Sequence, residues 1–236
     1  MRPYRCLLFD LDNTLMDFDM AERAAFTAAC SAVGLSASET SYSLYHEIND
    51  LLWKKLERGK IARSRLLTLR FETLLNRLGF PDDSRAQSLS TAYFAELAQQ
   101  RYLVPGAREV CAALASSYKL YLITNGTLQI QMSRLHGSGL EEFFSDVFVS
   151  EQVGAAKPSL HFFDAVFSRI GDSERSHYCV IGDSLSSDIA GAEAARLDAV
   201  WIDRSGRGDA HGHALMRMMK DIRELPAYFL GCPAEV

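Results

Sequence analysis

The chain has 236 residues, of which 48% are hydrophobic and 23% are charged. This composition and length favour one large globular domain, or a domain with a smaller insert, over a disordered chain. The 30 acidic residues outnumber the 25 basic ones, for a formal net charge of −5, which argues against a nucleic-acid polymer as partner.

The cysteines and the apolar runs indicate where the protein resides. Its five cysteines are scattered, odd in number and without a metal-ligand spacing, which favours reduced thiols. An aspartate interrupts the N-terminal segment before a signal-peptide apolar region can develop, and no apolar run approaches the roughly 20 residues that cross a bilayer. We therefore expect a cytoplasmic protein with no membrane partner.

Five short apolar runs predict strands of one sheet. They are rich in Val, Ile, Leu and aromatic residues without strict alternation, which is typical of strands buried on both faces of a parallel sheet. Helical patterns lie between them; in residues 158–171 the apolar positions repeat at helical spacing, and Gly171 follows as a C-cap. The alternation predicts a doubly wound α/β fold. The runs are residues 5–10, 119–126, 146–150, 177–183 and 198–203.

Residues 20–100 contain no convincing strand. Two leucine-rich stripes end near Gly59 and at Gly79, and the segment PDDS at 81–84 predicts an N-cap before a third helical stripe. These patterns predict an all-helical insert of about four helices between the first strand and the rest of the sheet. The stripes themselves indicate packing, not a binding site.

Polar residues follow the predicted strands, at the edge where open α/β sheets bind ligands. Two further residues, a lysine in GAAKPSL and an aspartate one turn into GDSLSSD, are expected to join them. The set combines carboxylates, one ammonium group and hydroxyl groups. Its members are Asp10, Asp12, Thr14, Thr124, Asn125, Gly126, Lys157, Asp183, Ser184 and Asp188.

Two carboxylates one residue apart, Asp10 and Asp12, repel each other unless a positive charge or a proton intervenes. Oxygen ligands of high charge suit a hard cation, and Mg²⁺ is commonly held by one or two carboxylates with waters and a phosphate. We expect Asp10 and Asp183 to share Mg²⁺. Asp12 points to the other face of an extended backbone and is left for a separate task.

This residue set suits phosphoryl transfer. Asp10 can attack phosphorus as a nucleophile, while the cation neutralises the charge that would repel a phosphate dianion. Asp12 can protonate the leaving alkoxide and later deprotonate the hydrolytic water. The Thr124 hydroxyl, the Asn125 backbone N–H and the Lys157 ammonium can bind the phosphoryl oxygens.

Four segments, DLDNT, ITNG, KP and GDSLSSD, occur in this order between residue 5 and about residue 200. They resemble the signature motifs of the haloacid dehalogenase-like (HAD) hydrolase superfamily. The resemblance implies a Rossmann-like core with a helical cap inserted after the first motif. We therefore expect a core of residues 1–17 and 102–236 and a four-helix cap of residues 18–101.

The resemblance also implies a role for each matching residue. Asp10 would be nucleophile and metal ligand, and Asp12 would be the acid/base and lend its carbonyl oxygen to the metal. Asp183 and Asp188 would complete the metal site. Thr124 and Lys157 would hold phosphate, with Asn125 beside them, and the supporting residues would be Thr14, Gly126 and Ser184.

Two of these residues have simpler alternatives, and the aromatic residues of the insert have one as well. Asp188 could only cap the following helix, and Ser184 could only serve a turn. Tyr42, Tyr45 and Trp53 could stack on a base, although aromatics at helical spacing are more often core. Phe18, in the segment after the first motif, is a better candidate for a residue near the leaving group.

The flanks of the motifs, DLDNTLMDFD, VSEQVGAAKPSLHFFDAV and IGDSLSSDIAGA, are most similar to the pyrimidine 5'-nucleotidase subgroup. This implies a Mg²⁺-dependent phosphomonoester hydrolase that acts on a small phosphorylated metabolite, as a monomer or homodimer. A phosphatase of phosphoglycolate or a sugar phosphate, or a phosphomutase, remains an alternative. A 2-haloacid dehalogenase needs neither Asp12 nor Asp183, and a non-catalytic binding protein would be expected to lose a motif residue, whereas none is lost.

Overall fold

A computed structural model describes residues 4–81, 84–206, 208, 212 and 217–231. The chain divides into two compact units, one of Met1–Phe18 with Arg101–Val236 and one of Asp19–Gln100. Four cysteines, Cys6, Cys30, Cys111 and Cys179, are free and buried, whereas Cys232 lies outside the described residues. None of the described helices is both long and apolar enough to cross a membrane.

Four helices account for the unit of residues 19–100, and its described residues contain no strand. The helices are α1 (Phe18–Ala32), α2 (Glu39–Glu57), α3 (Arg63–Arg77) and α4 (Arg85–Leu97). Ser38 caps α2, because its side chain accepts a hydrogen bond from the backbone N–H of Ser41. Of the predicted cap PDDS, residues 82 and 83 lie outside the described residues. Ser84 makes no side-chain capping bond, since its backbone is already helical, with φ −64° and ψ −12°.

The core of this helical unit is aromatic. The ring of Tyr45 is fully buried and stacks between Phe26, at 4.8 Å, and Phe71, at 5.3 Å between centroids. Each stacked pair stabilises the core by about 0.5–1.5 kcal/mol beyond the area it buries. Tyr45 is therefore a packing residue.

A buried carboxylate, Glu22, lies beside the aromatic core. It accepts hydrogen bonds from the hydroxyl of Tyr42 at 3.2 Å and from Nδ2 of Asn49 at 2.7 Å, and it pairs with Nδ1 of His46 at 2.6 Å. Asn49 in turn accepts a bond from the guanidinium of Arg70 at 3.0 Å. The network connects three helices, because Glu22 lies on α1, Asn49 on α2 and Arg70 on α3.

The other unit is built on a parallel sheet of six strands in the order β3-β2-β1-β4-β5-β6. This confirms the predicted doubly wound α/β fold and its five strands. The sixth strand was not predicted, because it is three residues long and lacks β-branched and aromatic residues. The strands are β1 (Cys6–Phe9), β2 (Lys119–Thr124), β3 (Phe144–Val149), β4 (Tyr178–Gly182), β5 (Asp198–Ile202) and β6 (Arg217–Met219).

Helices cover both faces of this sheet. Along β1, Leu7 and Phe9 enter one apolar cluster and Leu8 enters another, as the period of two along a strand requires. Fully burying a side chain of this size stabilises the fold by about 1.5–3 kcal/mol. The remaining α-helices of the described residues are α5 (Ala107–Ala115), α6 (Leu128–Ser138), α7 (Ser150–Val153), α8 (Leu160–Ile170), α9 (Ala190–Ala194) and α10 (Leu225–Leu230), and a π-helical turn, Leu185–Ile189, leads into α9.

We predict that the pair of Glu22 and His46 makes the stability of the helical unit depend on pH. The hydrogen bond to the Glu22 carboxylate raises the pKa of His46. A raised pKa in the folded state means that the pair stabilises the fold below about pH 6.5, the unfolded value, and that this stabilisation is lost as pH rises through the folded value. His46→Gln should therefore lose more free energy of unfolding at pH 5.5 than at pH 9, by about 0.5 kcal/mol after screening of this half-exposed side chain.

Urea unfolding at the two pH values measures the difference. His161→Gln is the matched control, because His161 is exposed on α8, and its loss should be the same at both values. Equal losses for His46→Gln at pH 5.5 and pH 9 would contradict the prediction.

Candidate active site

Three polar residues of the candidate site lie at the carboxyl ends of three adjacent strands. Asp10 follows β1, Thr124 ends β2 and Asp183 follows β4. The backbone N–H of Asp10 donates to the carbonyl of Ile181 on β4 at 2.9 Å, so the ladder of the sheet continues to this residue. Asp10 is therefore held by the sheet and not by a mobile loop.

Three carboxylates converge at this edge. Asp10, Asp183 and Asp188 each offer an oxygen atom, and these atoms lie within 4.8 Å of one another. Asp10 and Asp188 are buried, and Asp183 is half-buried. Burial raises the pKa of Asp10 to about 7, while the nearby charge of Lys157 acts in the opposite direction. The cluster thus holds more negative charge than its surroundings stabilise.

Lys157 is buried within the cluster and is held at three points. Its ammonium donates to Asp10 Oδ1 at 2.7 Å, to Asp188 Oδ1 at 2.6 Å and to the carbonyl of Ile123 at 2.8 Å. These three acceptors use all three N–H bonds of the group. Burial acts against the charged form, but the two carboxylates raise the pKa of Lys157 above its usual range. The lysine is therefore a fixed positive charge.

The cluster fits a hard divalent cation. Three carboxylates face one ammonium group, which leaves an excess of negative charge when all of them are ionised. Lysine bonds only one oxygen of Asp10 and one of Asp188. Among the described residues the cluster consists of carboxylates only, and such oxygen ligands suit hard cations, of which Mg²⁺ is one.

Asn125 and Lys157 bind each other through their backbones and one side chain. Asn125 Nδ2 donates to the carbonyl of Lys157 at 2.9 Å, and the N–H of Lys157 donates to Asn125 Oδ1 at the same distance. The sequence suggested the backbone N–H of Asn125 as a phosphate donor. Its side chain has a different task, since it fixes the loop that carries Lys157.

The two supporting hydroxyl residues, Thr14 and Ser184, both contact site carboxylates. The hydroxyl of Thr14 lies 3.4 Å from Asp10 Oδ2. The N–H of Ser184 donates to Asp188 Oδ2 at 3.1 Å, and its Oγ caps the next turn by accepting from the N–H of Ser187. Ser184 thus serves the turn and orients Asp188 as well.

A glycine makes room for Asp188. A Cβ atom on Gly182 would lie 2.3 Å from Asp188 Oδ2, far inside van der Waals contact. The last residue of β4 therefore has no side chain because the carboxylate occupies that space. Asp188 is not the cap of the helix that follows, because Ser184 caps the π-helical turn and Ile189 stands at the N-cap of α9. Asp188 accepts the bond from Lys157 instead.

Two residues of α6, Gln131 and Arg134, were not predicted and both contact Asp12. Arg134 Nη1 lies 2.5 Å from Asp12 Oδ1, and Gln131 Nε2 donates to Asp12 Oδ2 at 2.7 Å. Both side chains are buried. The signal available in the sequence is the spacing of three residues, which places them on one face of a helix that starts shortly after the second motif.

Gly126 and Phe18 border this group. A Cβ on Gly126 would lie 2.4 Å from the side-chain amide of Gln131. The lack of a side chain at Gly126 therefore leaves room for that amide. Phe18, predicted near the leaving group, has its ring centroid 5.7 Å from the guanidinium carbon of Arg134. Arg134 therefore contacts both Asp12 and Phe18, and all three residues belong to one unit of the fold.

Comparison with known proteins identifies the family of this chain. The family profile described as haloacid dehalogenase-like hydrolase matches residues 4–196. The chain belongs to this family. It is 37% identical over 203 residues to the HAD-hydrolase YfnB of Bacillus subtilis, covering 86% of each chain.

Two other relatives carry named activities. The chain is 38% identical to the pyrimidine 5'-nucleotidase PynA of Streptococcus pneumoniae, covering 84% of this chain and 83% of that one. It is 30% identical to the pyrimidine 5'-nucleotidase YjjG of Escherichia coli, covering 93% and 95%. The crystal structure of YfnB, which is bound to magnesium, matches with a TM-score of 0.90 at 34% identity and covers 97% of this chain and 99% of that one.

We predict that Gly182→Ala weakens magnesium binding. The added methyl group must displace the Asp188 carboxylate, and disturbing groups that orient a metal ligand typically costs on the order of 10- to 100-fold in affinity. Calorimetric titration with MgCl₂ measures the effect. Ser186→Ala, an exposed change in the same segment, should bind like the wild type. An unchanged affinity for magnesium in Gly182→Ala would show that Asp188 does not contribute to the metal site.

Proposed function

We propose that the protein is a Mg²⁺-dependent phosphomonoester hydrolase that works through an aspartyl-phosphate on Asp10. The observation that carries the proposal is the buried Asp10, which shares Lys157 with Asp188 and lies next to Asp183 at the end of a central strand. A carboxylate beside a fixed ammonium and a cation site can accept a phosphoryl group. Residues 18–101 would be the cap domain of the family, and residues 1–17 and 102–236 its catalytic core.

Asp10, Asp183 and Asp188, with the carbonyl oxygen of Asp12, are the proposed holders of Mg²⁺. The bound ion supplies the positive charge that lets a phosphate dianion approach a carboxylate. Lys157 adds a permanent positive charge on the same side, because its ammonium is held by three acceptors. Thr124 and the backbone N–H of Asn125 are proposed to bind the phosphoryl oxygens.

The proposed reaction has two steps. In the first, an oxygen of Asp10 attacks phosphorus, the bond from phosphorus to the leaving oxygen breaks, and Asp12 gives its proton to the alkoxide that departs. In the second, water attacks the aspartyl-phosphate, Asp12 takes a proton from that water, and the bond between Asp10 and phosphorus breaks to release phosphate. Asp12 gives up one proton in the first step and takes one back from water in the second, so the enzyme gains and loses no proton over the cycle.

Pyrimidine nucleoside 5'-monophosphates are the proposed substrates. Two relatives with at least 30% identity, PynA and YjjG, are pyrimidine 5'-nucleotidases, and the flanks of the motifs agree with that subgroup. The assignment of the reaction does not depend on this choice.

Asp10→Asn should abolish phosphatase activity, with a loss of at least about 1,000-fold in kcat, because the amide cannot attack phosphorus. Removal of Mg²⁺ with a chelator should have the same effect, and added MgCl₂ should restore the wild type but not the variant. Release of inorganic phosphate from p-nitrophenyl phosphate measures both. Asp164→Asn, an exposed change on α8, is the control. Full activity in Asp10→Asn would end the proposed mechanism.

A substrate panel tests the choice of leaving group. The panel contains pyrimidine and purine nucleoside 5'-monophosphates, a sugar phosphate and phosphoglycolate. With Mg²⁺ present, kcat/KM should be highest for the pyrimidine nucleotides. A flat profile would contradict the nucleotidase assignment but leave the phosphatase reaction in place. Conversion of a sugar phosphate to its isomer without release of phosphate would instead identify a mutase.

A further inference from the structure

One group of hydrogen bonds connects the second motif, the first motif and α6. Gln131 Nε2 donates to Asp12 Oδ2 at 2.7 Å and to Thr124 Oγ1 at 2.8 Å. Arg134 Nη1 contacts Asp12 Oδ1 at 2.5 Å and Gln131 Oε1 at 3.1 Å. The side chain of Gln131 therefore touches the proposed acid/base and a proposed phosphate ligand together.

The chemistry of these groups determines the direction of every bond. A guanidinium can only donate, so the atom of Gln131 that faces Arg134 must be its carbonyl oxygen. The amide nitrogen of Gln131 then faces Asp12 and Thr124, and its two N–H bonds are both used. Arg134 thus selects one of the two orientations of the Gln131 amide.

This orientation determines the direction of the Thr124 hydroxyl. Thr124 Oγ1 accepts from Gln131 Nε2 at 2.8 Å and from the N–H of Gly126 at 3.2 Å. A hydroxyl oxygen has two lone pairs and one proton. Because both lone pairs accept, the proton of Thr124 is left to donate to a further acceptor, such as a phosphoryl oxygen.

The same two residues fix the position of the Asp12 side chain. One donor faces each of its two oxygens, Arg134 Nη1 at Oδ1 and Gln131 Nε2 at Oδ2. A hydrogen bond with an ionised donor such as a guanidinium is about twice as strong as a neutral one. Arg134 is fully buried, and its Nε and Nη2 atoms have no hydrogen-bond partner among the described residues, so Asp12 is the carboxylate that this buried charge faces within bonding distance.

We propose that Arg134 and Gln131 are positioning residues of the reaction. They hold Asp12 where it transfers protons, and they turn the Thr124 hydroxyl toward the phosphoryl group. This inference rests on the proposed phosphatase function. It adds two residues outside the four motifs: Arg134 acts mainly through Asp12, and Gln131 acts through both Asp12 and Thr124.

A comparison of leaving groups tests the action on Asp12. An alkyl phosphate needs a proton on its leaving oxygen, whereas p-nitrophenyl phosphate releases the stable p-nitrophenolate anion without one. Arg134→Met should therefore lower kcat/KM for uridine 5'-monophosphate, or for the best alkyl phosphate of the panel, on the order of 100-fold. The same variant should change kcat/KM for p-nitrophenyl phosphate by less than about threefold, as Asp12→Asn should.

Arg134→Lys keeps the buried charge but not the forked donor, and it should recover part of the alkyl phosphate activity. If Arg134→Met fails to fold, Arg134→Lys takes its place in the comparison of the two substrates. An equal loss on both substrates in the folded variant, or no loss on either, would overturn the role at Asp12, because a merely structural residue does not distinguish leaving groups.

Binding of inorganic phosphate tests the action on Thr124 without turnover. In the presence of MgCl₂, calorimetry should show that Thr124→Val and Gln131→Met each weaken phosphate binding about tenfold. The double variant should be no weaker than either single one, because the two residues act through the same hydroxyl. Losses that multiply in the double variant, or an unchanged affinity in Gln131→Met, would overturn the role at Thr124.

The two experiments also separate this inference from the proposed function. If the wild type hydrolyses no phosphate ester with Mg²⁺ present, the phosphatase proposal fails, and the phosphate titration still decides whether Gln131 acts on Thr124. If the wild type is active and the variants behave as wild type, only the inference fails. Gln129→Leu, an exposed change on the same helix, is the matched control and should leave both measurements unchanged.

Discussion

The site depends on one buried ammonium group. Lys157 contacts Asp10 and Asp188, which come from different strand ends, and it is also bonded to the carbonyl of Ile123 on β2. Without this charge, two buried carboxylates would face each other at short range, and at least one would take up a proton. Asn125 holds the lysine from the backbone side. The remaining geometry, including the fit to a cation, follows from that arrangement.

Much of the fold could be predicted from the sequence because its signals are local. Buried strands of a parallel sheet are continuous apolar runs, and helices show their period over ten residues or more. The convergence of Asp10, Thr124 and Asp183 follows in turn from strand topology, since the carboxyl ends of parallel strands share an edge. Strand β6 was missed because three residues, of which only Met219 is buried, do not establish a pattern.

The contacts of α6 could not be predicted in the same way. Gln131 and Arg134 lie on one helix face, but a polar pair at this spacing on a helix is most often solvated. Their role depends on burial and on the rotation of α6 relative to the end of β1, and neither is a property of local sequence. The side chain of Asn125 illustrates the same limit, since its partner is a backbone carbonyl that lies 32 positions away in the chain.

Gly126 and Gly182 share a feature that bears on attempts to alter this protein. Neither has a side chain, and in each case a neighbouring residue, Gln131 or Asp188, fills the space that a methyl group would need. Libraries for new substrate preferences are usually built by randomising whole motif segments. Here such libraries should leave these two positions fixed, because the smallest replacement would displace a side chain of the candidate site before any gain in recognition could be selected.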